Sequence, residues 1–156
     1  MIMAYILKSL LFVFICRTTY GGGRGGDPLP VKAAFTATLP GGANHYGLNE
    51  KIRYNQMLCT DDGYNYHTGT FTVGTGKAGN YLVSVTMMSG LHVTAHTTLR
   101  KNGAIYVWLY TGYHYDMATQ TVCMKLADGD KIWVQMNNKA SSLFDVYNTF
   151  TAVRIN

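Results

Sequence analysis

The chain has 156 residues, of which 47% are apolar and 13% charged, and its formal net charge is +5. This length suffices for one domain with a sizeable core and not for two. Tyrosine, which favours strands, occurs 12 times and glycine 17 times, whereas Glu50 is the only glutamate. This composition excludes a helical bundle and a largely disordered chain.

The N-terminus has the pattern of a secretory signal. A weakly basic opening precedes the apolar run at residues 9–16, and Arg17 and small or polar residues follow. The run is far shorter than the roughly 20 residues of a membrane-spanning helix. A buried N-terminal strand is the weaker alternative, because a glycine-rich stretch at residues 21–26 follows at once. We therefore expect a signal peptide over residues 1–21, no membrane anchor, and a secreted, extracellular protein.

The next residues, 22–30, are rich in glycine and proline and are expected to form an extended linker. From residue 31 onward, short alternating apolar runs are broken by turn signals every eight to twelve residues. This rhythm predicts one all-β sandwich over residues 31–156. The predicted strands cover residues 33–38, 52–58, 70–73, 79–88, 93–99, 104–110, 120–126, 131–135 and 149–155.

The charges and thiols limit the partners. Basic residues are scattered, and Arg100-Lys101 is the only adjacent pair in the expected mature chain, so nucleic acid is not an expected partner. Loss of a signal peptide would leave two cysteines, Cys59 and Cys123. In an oxidising compartment these two could form a disulfide, or they could be buried thiols, and the sequence leaves both alternatives open.

Four segments carry a family resemblance. They read Asp-Gly-Tyr-Asn-Tyr-His-Thr-Gly-Thr-Phe at residues 62–71, Gly-Asn-Tyr-Leu-Val at 79–83, Leu-Arg-Lys-Asn-Gly at 99–103, and Leu-Ala-Asp-Gly-Asp-Lys-Ile-Trp-Val at 126–134. In order and spacing they resemble the globular head domain of complement C1q and its relatives. The resemblance implies a ten-stranded jelly-roll sandwich of the C1q/tumour necrosis factor type, assembled as a homotrimer that binds ligands outside the cell.

The sequence also departs from that family. Some relatives bind calcium through two acidic residues about eight apart, and the nearest positions here are Asn102 and Tyr110. The resemblance leaves calcium open as a family property, but the usual acidic positions are not matched here, so no cofactor is expected. The glycines at residues 21–26 lack the three-residue period of a collagen stalk.

The histidines give little support for catalysis. His92 and His96 lie four apart, which in a strand separates them by roughly 13 Å and prevents them from sharing a metal ion. His114 and Asp116 could share a face as an acid–base pair, but the segment contains no nucleophile or cofactor cradle. No nucleophile-elbow, phosphate-loop or paired-cysteine zinc motif is present. We therefore expect a protein that is not an enzyme.

Binding is better supported, because aromatic side chains crowd residues 106–115. Tyrosine presents a flat apolar face with a hydroxyl, as recognition surfaces often do. The loop at 111–119 and the turn at 137–142 are the expected docking places. The candidate ligand-binding residues are Tyr110, Tyr113, His114, Tyr115 and Asp116. The tyrosines could equally pack within the domain or at a subunit contact.

Two functions remain open from the sequence. The first is a lectin-like pattern-recognition protein of innate immunity, which binds microbial or glycan surfaces as a homotrimer. The alternative is a structural protein of an extracellular or mineralised, shell-type matrix.

Overall fold

The computed structural model describes residues 33–60, 63–138 and 140–156, and all the regular structure in these ranges is β-strand. The expected signal peptide and linker lie outside the described residues. The strands are β1 (Ala34–Thr38), β2 (Ala43–Gly47), β3 (Gln56–Thr60), β4 (Tyr64–Asn65), β5 (Thr70–Thr72), β6 (Gly79–Met88), β7 (Ala95–Lys101), β8 (Ala104–Thr111), β9 (Met117–Leu126), β10 (Lys131–Met136), β11 (Ala140–Phe144) and β12 (Thr149–Arg154).

Ten of these strands form two five-stranded antiparallel sheets. The first sheet has the order β3-β1-β12-β6-β9, and the second has the order β4-β5-β10-β7-β8. The last strand of the chain, β12, is therefore the middle strand of the first sheet. Strands β2 and β11 form a separate antiparallel pair. The predicted all-β jelly roll is confirmed.

The core lies between the two sheets and follows from the alternation of side chains along each strand. On β6, for example, Tyr81, Val83, Val85 and Met87 are fully buried. Phe35 of β1 lies at the centre of an aromatic cluster, with ring centroids 4.5 Å from Tyr64, 5.0 Å from Phe71 and 4.9 Å from Phe150. Because Tyr64 and Phe71 belong to the second sheet, this cluster joins the two layers.

A glycine fixes one turn that matters below. Gly69 lies between β4 and β5 with a φ of 65°, a conformation that side chains other than hydrogen disfavour. A Cβ at this position would collide with the carbonyl oxygen of Ile52 and lie 3.3 Å from Cα of Arg53. The turn therefore lies directly against the segment that precedes β3.

Most predicted strands appear within three residues of their predicted bounds, and β6 matches at both ends. The prediction for residues 52–58 was wrong in part, because β3 begins at Gln56; the preceding segment is tied to β10 by the hydrogen bond from Ile52 N to Val134 O. Strands β2, β4 and β11 were not predicted. They are short and rich in polar residues, so no clear alternation marks them.

The two cysteines lie at opposite edges of the first sheet. Cys59 is on β3 opposite Thr36, and Cys123 is on β9 opposite Leu82. Four strand spacings separate these edges, about 19 Å. A disulfide requires Cα atoms within about 7 Å of each other, so the pairing of Cys59 with Cys123 within one chain is excluded.

Candidate ligand-binding surface

Strand β8 is the edge of the second sheet, and its outward side chains are aromatic. Leu109 points into the core and is 2% exposed, whereas its neighbours Trp108 and Tyr110 are 50% and 62% exposed. Large rings left this open to water at a sheet edge are typical of a surface that binds something.

A histidine of the neighbouring strand completes this group. His96 of β7 stands directly opposite Tyr110 in the register. Its ring centroid lies 4.9 Å from that of Trp108 and 5.7 Å from that of Tyr110, the latter in an edge-on arrangement. The backbone N–H of His96 donates to Asn138 Oδ1 at 2.6 Å. The three rings therefore form one packed platform on a rigid hairpin.

The loop between β8 and β9 continues the platform. A Cβ on Gly112 would lie 3.9 Å from Cε1 of Tyr110, which places that ring beside the loop. Tyr113, at the loop tip, is 78% exposed. We call His96, Trp108, Tyr110 and Tyr113 together the aromatic surface.

Buried Ser89 holds this loop in place. Its hydroxyl donates to the carbonyl of Tyr113 at 2.6 Å, and its N–H donates to the carbonyl of Asp116 at 3.0 Å. The carbonyl of Ser89 accepts from the N–H of Tyr115 at 3.2 Å. Three hydrogen bonds to one buried residue make the loop a defined structure.

The predicted site residues divide into two groups. Tyr110, Tyr113 and His114 present their rings at the surface. Tyr115 has a φ of 55° and packs edge-on against Phe144, with ring centroids 4.9 Å apart. The binding roles of all these residues remain predictions.

Asp116 also serves the loop itself. Its carboxylate accepts hydrogen bonds from the N–H groups of Gly112 and Met117. The structure places no hydrogen bond between Asp116 and His114; the ring of His114 instead lies 5.5 Å from that of His92. A shallow hollow of about 230 Å³ is lined by His92, His114 and Tyr113, among others. The predicted pairing of His114 with Asp116 is therefore not present, because Asp116 bonds to its own loop and His114 contacts His92.

The expected docking places are smaller than the sequence indicated. The loop predicted at 111–119 spans residues 112–116, because β8 and β9 extend into it. The turn predicted at 137–142 was wrong beyond residue 139, since residues 140–142 belong to β11. His96 was not predicted to belong to this surface. Strand pairing brings it close to Trp108 and Tyr110, which lie twelve or more positions away in the chain.

The hairpin between β7 and β8 uses its polar residues for structure. Asn102 donates to Asp130 Oδ1 at 2.7 Å and accepts from Lys131 N at 2.8 Å. Hydrogen bonds from the N–H of Ala127 and the ammonium of Lys101 lower the pKa of Asp130 to about 2. Within the described ranges, no three histidine, cysteine or acidic side chains are grouped as a metal site would require.

Comparison with known proteins identifies the fold family. The C1q domain family matches residues 34–152, three-quarters of the chain. The chain belongs to the C1q domain family. The matched residues include all four segments that resemble the C1q head domain. In the described part of the chain, no helix is long and apolar enough to cross a membrane.

Solved structures share the C1q domain's architecture at low sequence identity. The globular domain of zebrafish complement 1qA is 16% identical with a TM-score of 0.63, covering 80% of this chain and 98% of that one. Eiger TNF of S. frugiperda is 13% identical with a TM-score of 0.61, covering 80% and 93%. Murine APRIL is 13% identical with a TM-score of 0.62, covering 80% and 99%. No curated protein sequence matches the chain. These likenesses establish the jelly-roll fold.

Proposed function

We propose that this C1q-domain protein is a secreted, non-enzymatic recognition protein of innate immunity that binds microbial or glycan surfaces as a homotrimer. The observation that carries the proposal is the aromatic surface, in which Trp108 and Tyr110 are half exposed or more on a rigid hairpin. Sugar rings have apolar faces that stack on such side chains while hydroxyl groups bond to phenol and imidazole.

The outer face of the first sheet supports self-association. Three successive cross-strand rows on this face contain only uncharged side chains, and two of them are linked by hydroxyl–hydroxyl hydrogen bonds such as Ser84–Thr121 at 2.9 Å and Thr86–Thr119 at 3.1 Å. The rows are Val153, Leu82 and Cys123; Thr151, Ser84 and Thr121; and Thr149, Thr86 and Thr119. A sheet face without charge is suited to contact with another protein surface rather than with water.

The stretch of the β8–β9 edge around Tyr106 offers a second surface, which uses none of the four residues of the aromatic surface. Tyr106 crosses this edge and donates its hydroxyl to the carbonyl of Cys123 at 3.0 Å. Ile105, next to Tyr106 on β8, is 41% exposed. A contact between the face of one copy and the edge of the next is head-to-tail, and such contacts form a ring when the rotation between copies closes. A three-membered ring agrees with the trimer that the family resemblance implies.

Sedimentation equilibrium tests the assembly. A lysine in place of Leu82, which is 45% exposed on the uncharged face, should dissociate the trimer because a buried unpaired charge is costly. The control is Leu48→Lys, a leucine 49% exposed outside both surfaces, which should leave the trimer intact. A wild-type monomer at micromolar concentration would refute the trimer.

Binding to an array of microbial polysaccharides tests recognition. Trp108→Ala and Tyr110→Ala should each reduce binding about tenfold without altering the trimer, since one ring contributes about 1 kcal/mol or more. Tyr147→Ala removes a tyrosine that is 52% exposed elsewhere and serves as the matched control. Unchanged binding by the Trp108 and Tyr110 variants would show that the surface is wrong. If the wild-type protein binds nothing on the array and is recovered only from insoluble matrix, the structural function takes the place of this proposal.

A further inference from the structure

A polar cleft of about 560 Å³ shares no residue with the aromatic surface. It lies between β2, the segment that precedes β3, and the turn between β4 and β5. The side chains that line it include His45 and Tyr46 of β2, Arg53 and Asn55 of the segment, and Tyr66 and His67 of the turn.

The cleft has a cation and no lining carboxylate among the described residues. The side chain of Arg53 is 57% exposed, and its guanidinium contacts Glu50 through Nη2 at 3.4 Å. A pair this exposed is weak, and the other oxygen of Glu50 already accepts from the N–H of Gly47 at 3.0 Å. Guanidinium presents five N–H donors in a fork that matches an anionic oxygen pair. Arg53 can therefore take an anion from solvent.

Two other polar groups of the cleft, on Tyr46 and Asn55, are neutral donors. Tyr46 is 8% exposed, and its burial is the main reason that its pKa is raised to about 12. Its phenol therefore keeps its proton at neutral pH. Asn55, which is exposed, adds an amide. These groups can bond to hydroxyl and carboxylate oxygens without repelling an anion.

An aromatic platform stands beside the cation. Tyr66 is 46% exposed, and its ring lies 4.1 Å from that of His67 at an interplanar angle of 39°. A bare inorganic anion gains nothing from such a ring, whereas the apolar face of a sugar packs on it. The cleft volume also exceeds what a single inorganic anion requires.

The turn between β4 and β5 is held at a fixed separation from the segment that precedes β3. Asn65 Oδ1 accepts from the N–H groups of His67 at 2.9 Å and Thr68 at 3.2 Å, which closes the turn. Gly69 then places this turn against the backbone of Ile52 and Arg53, where a Cβ would not fit. Walls that are fixed before binding lower the ordering cost of the complex.

We propose that this cleft binds a sugar bearing a carboxylate or sulfate group, with the anion on Arg53 and the sugar ring on Tyr66. The proposal goes beyond the recognition function above, because it assigns a second site that does not use the aromatic surface. A protein with both sites would contact an acidic polysaccharide at two places on each domain.

The test measures binding of three probes to the full chain by ligand-observed nuclear magnetic resonance. Glucuronate carries the carboxylate, glucose 6-sulfate carries the sulfate, and glucose carries neither. At least one anionic probe should bind with a dissociation constant of about 1 mM and at least tenfold more tightly than glucose. Whichever anionic probe binds identifies the source of the charge. Binding should weaken with added salt, because Arg53 is exposed.

Two variants locate the site. Arg53→Gln should weaken the anionic probe at least tenfold, and Tyr66→Ala should weaken it severalfold. Lys131→Gln removes the same charge from an exposed residue outside the cleft and should have no effect. Trp108→Ala should also leave this binding unchanged, which separates failure of the cleft from failure of the aromatic surface. Thermal unfolding of each variant checks that it is folded.

Three results would overturn the proposal. Equal affinity for glucose and both anionic probes would remove the role of the charge. Absence of binding by both anionic probes at about 20 mM would remove the site. Unchanged affinity in folded Arg53→Gln or Tyr66→Ala protein would place the binding elsewhere.

Discussion

Replacement of Gly69 by alanine should destabilise the fold through two costs that glycine avoids. The first is conformational: a φ of 65° costs an L-residue about 1 kcal/mol. The second is steric, because the new Cβ collides with the carbonyl oxygen of Ile52 and forces the turn away from Arg53. Overpacking of this kind costs about 2 kcal/mol. We expect Gly69→Ala to lower the free energy of unfolding by about 3 kcal/mol.

Gly76→Ala is the matched control for the conformational cost. Gly76 has a φ of 75°, and a Cβ there would meet nothing within 4 Å. It should therefore lose only about 1 kcal/mol. For a domain of this size the two variants should lower Tm by about 9 °C and 3 °C.

Calorimetry at one fixed protomer concentration is the assay, because assembly would make Tm depend on concentration. Equal losses in the Gly69 and Gly76 variants would refute the close approach between the turn and Ile52. The Gly69 variant should also bind the anionic probe of the cleft less tightly, since the turn that carries Tyr66 moves away from Arg53.

Three further predictions concern buried or hydrogen-bonded polar groups. The pKa of Asp130 is lowered to about 2, below the ordinary value of 3.8, so its stabilisation is full above about pH 4 and is lost as the pH falls towards 2. Asp130→Asn should therefore cost about 1 kcal/mol at pH 7 and flatten the decline in urea-unfolding stability between pH 5 and 2; an unchanged slope would contradict this. The hydroxyl of fully buried Tyr54 has no hydrogen-bond partner among the described residues, so Tyr54→Phe should raise the stability by about 1 kcal/mol, and a lower Tm would show that the hydroxyl is satisfied. Asn148 is fully buried, donates to the carbonyls of Phe144 and Asp145, and accepts from Met88 N. Asn148→Ala should therefore lower the free energy of unfolding by about 3 kcal/mol, as measured by chemical denaturation. A loss below about 1 kcal/mol would refute the contribution of these three hydrogen bonds.

The fold was predictable where alternation is strong. From Asn80 to Met88 the residues of β6 alternate between fully buried and more exposed positions, and both ends of the strand were predicted. Strand β2, with the sequence Ala-Asn-His-Tyr-Gly, buries only Tyr46, so periodicity carried no signal there. The polar cleft was missed for the same reason, because one of its walls is β2.

The aromatic surface was predictable only in part, and a β-bulge explains why. A two-residue turn at Asn102-Gly103 would pair His96 with Leu109, which points into the core. The register shifts by one between Leu99 and Arg100, so His96 faces Tyr110 instead. A one-residue shift of this kind moves every later side chain to the other face. No residue pattern in the sequence indicates this shift.

The position of β12 has a consequence for biosynthesis. Among the described strands it is the last in chain order, and it fills the gap between β1 and β6. While the ribosome is still making the chain, the first sheet consists of two separate fragments, each with an unpaired inner edge. Open edges of this kind invite pairing with other chains. The first sheet therefore cannot close until β12 has been made and has left the ribosome, and until then its two inner edges stay open to pairing with other chains.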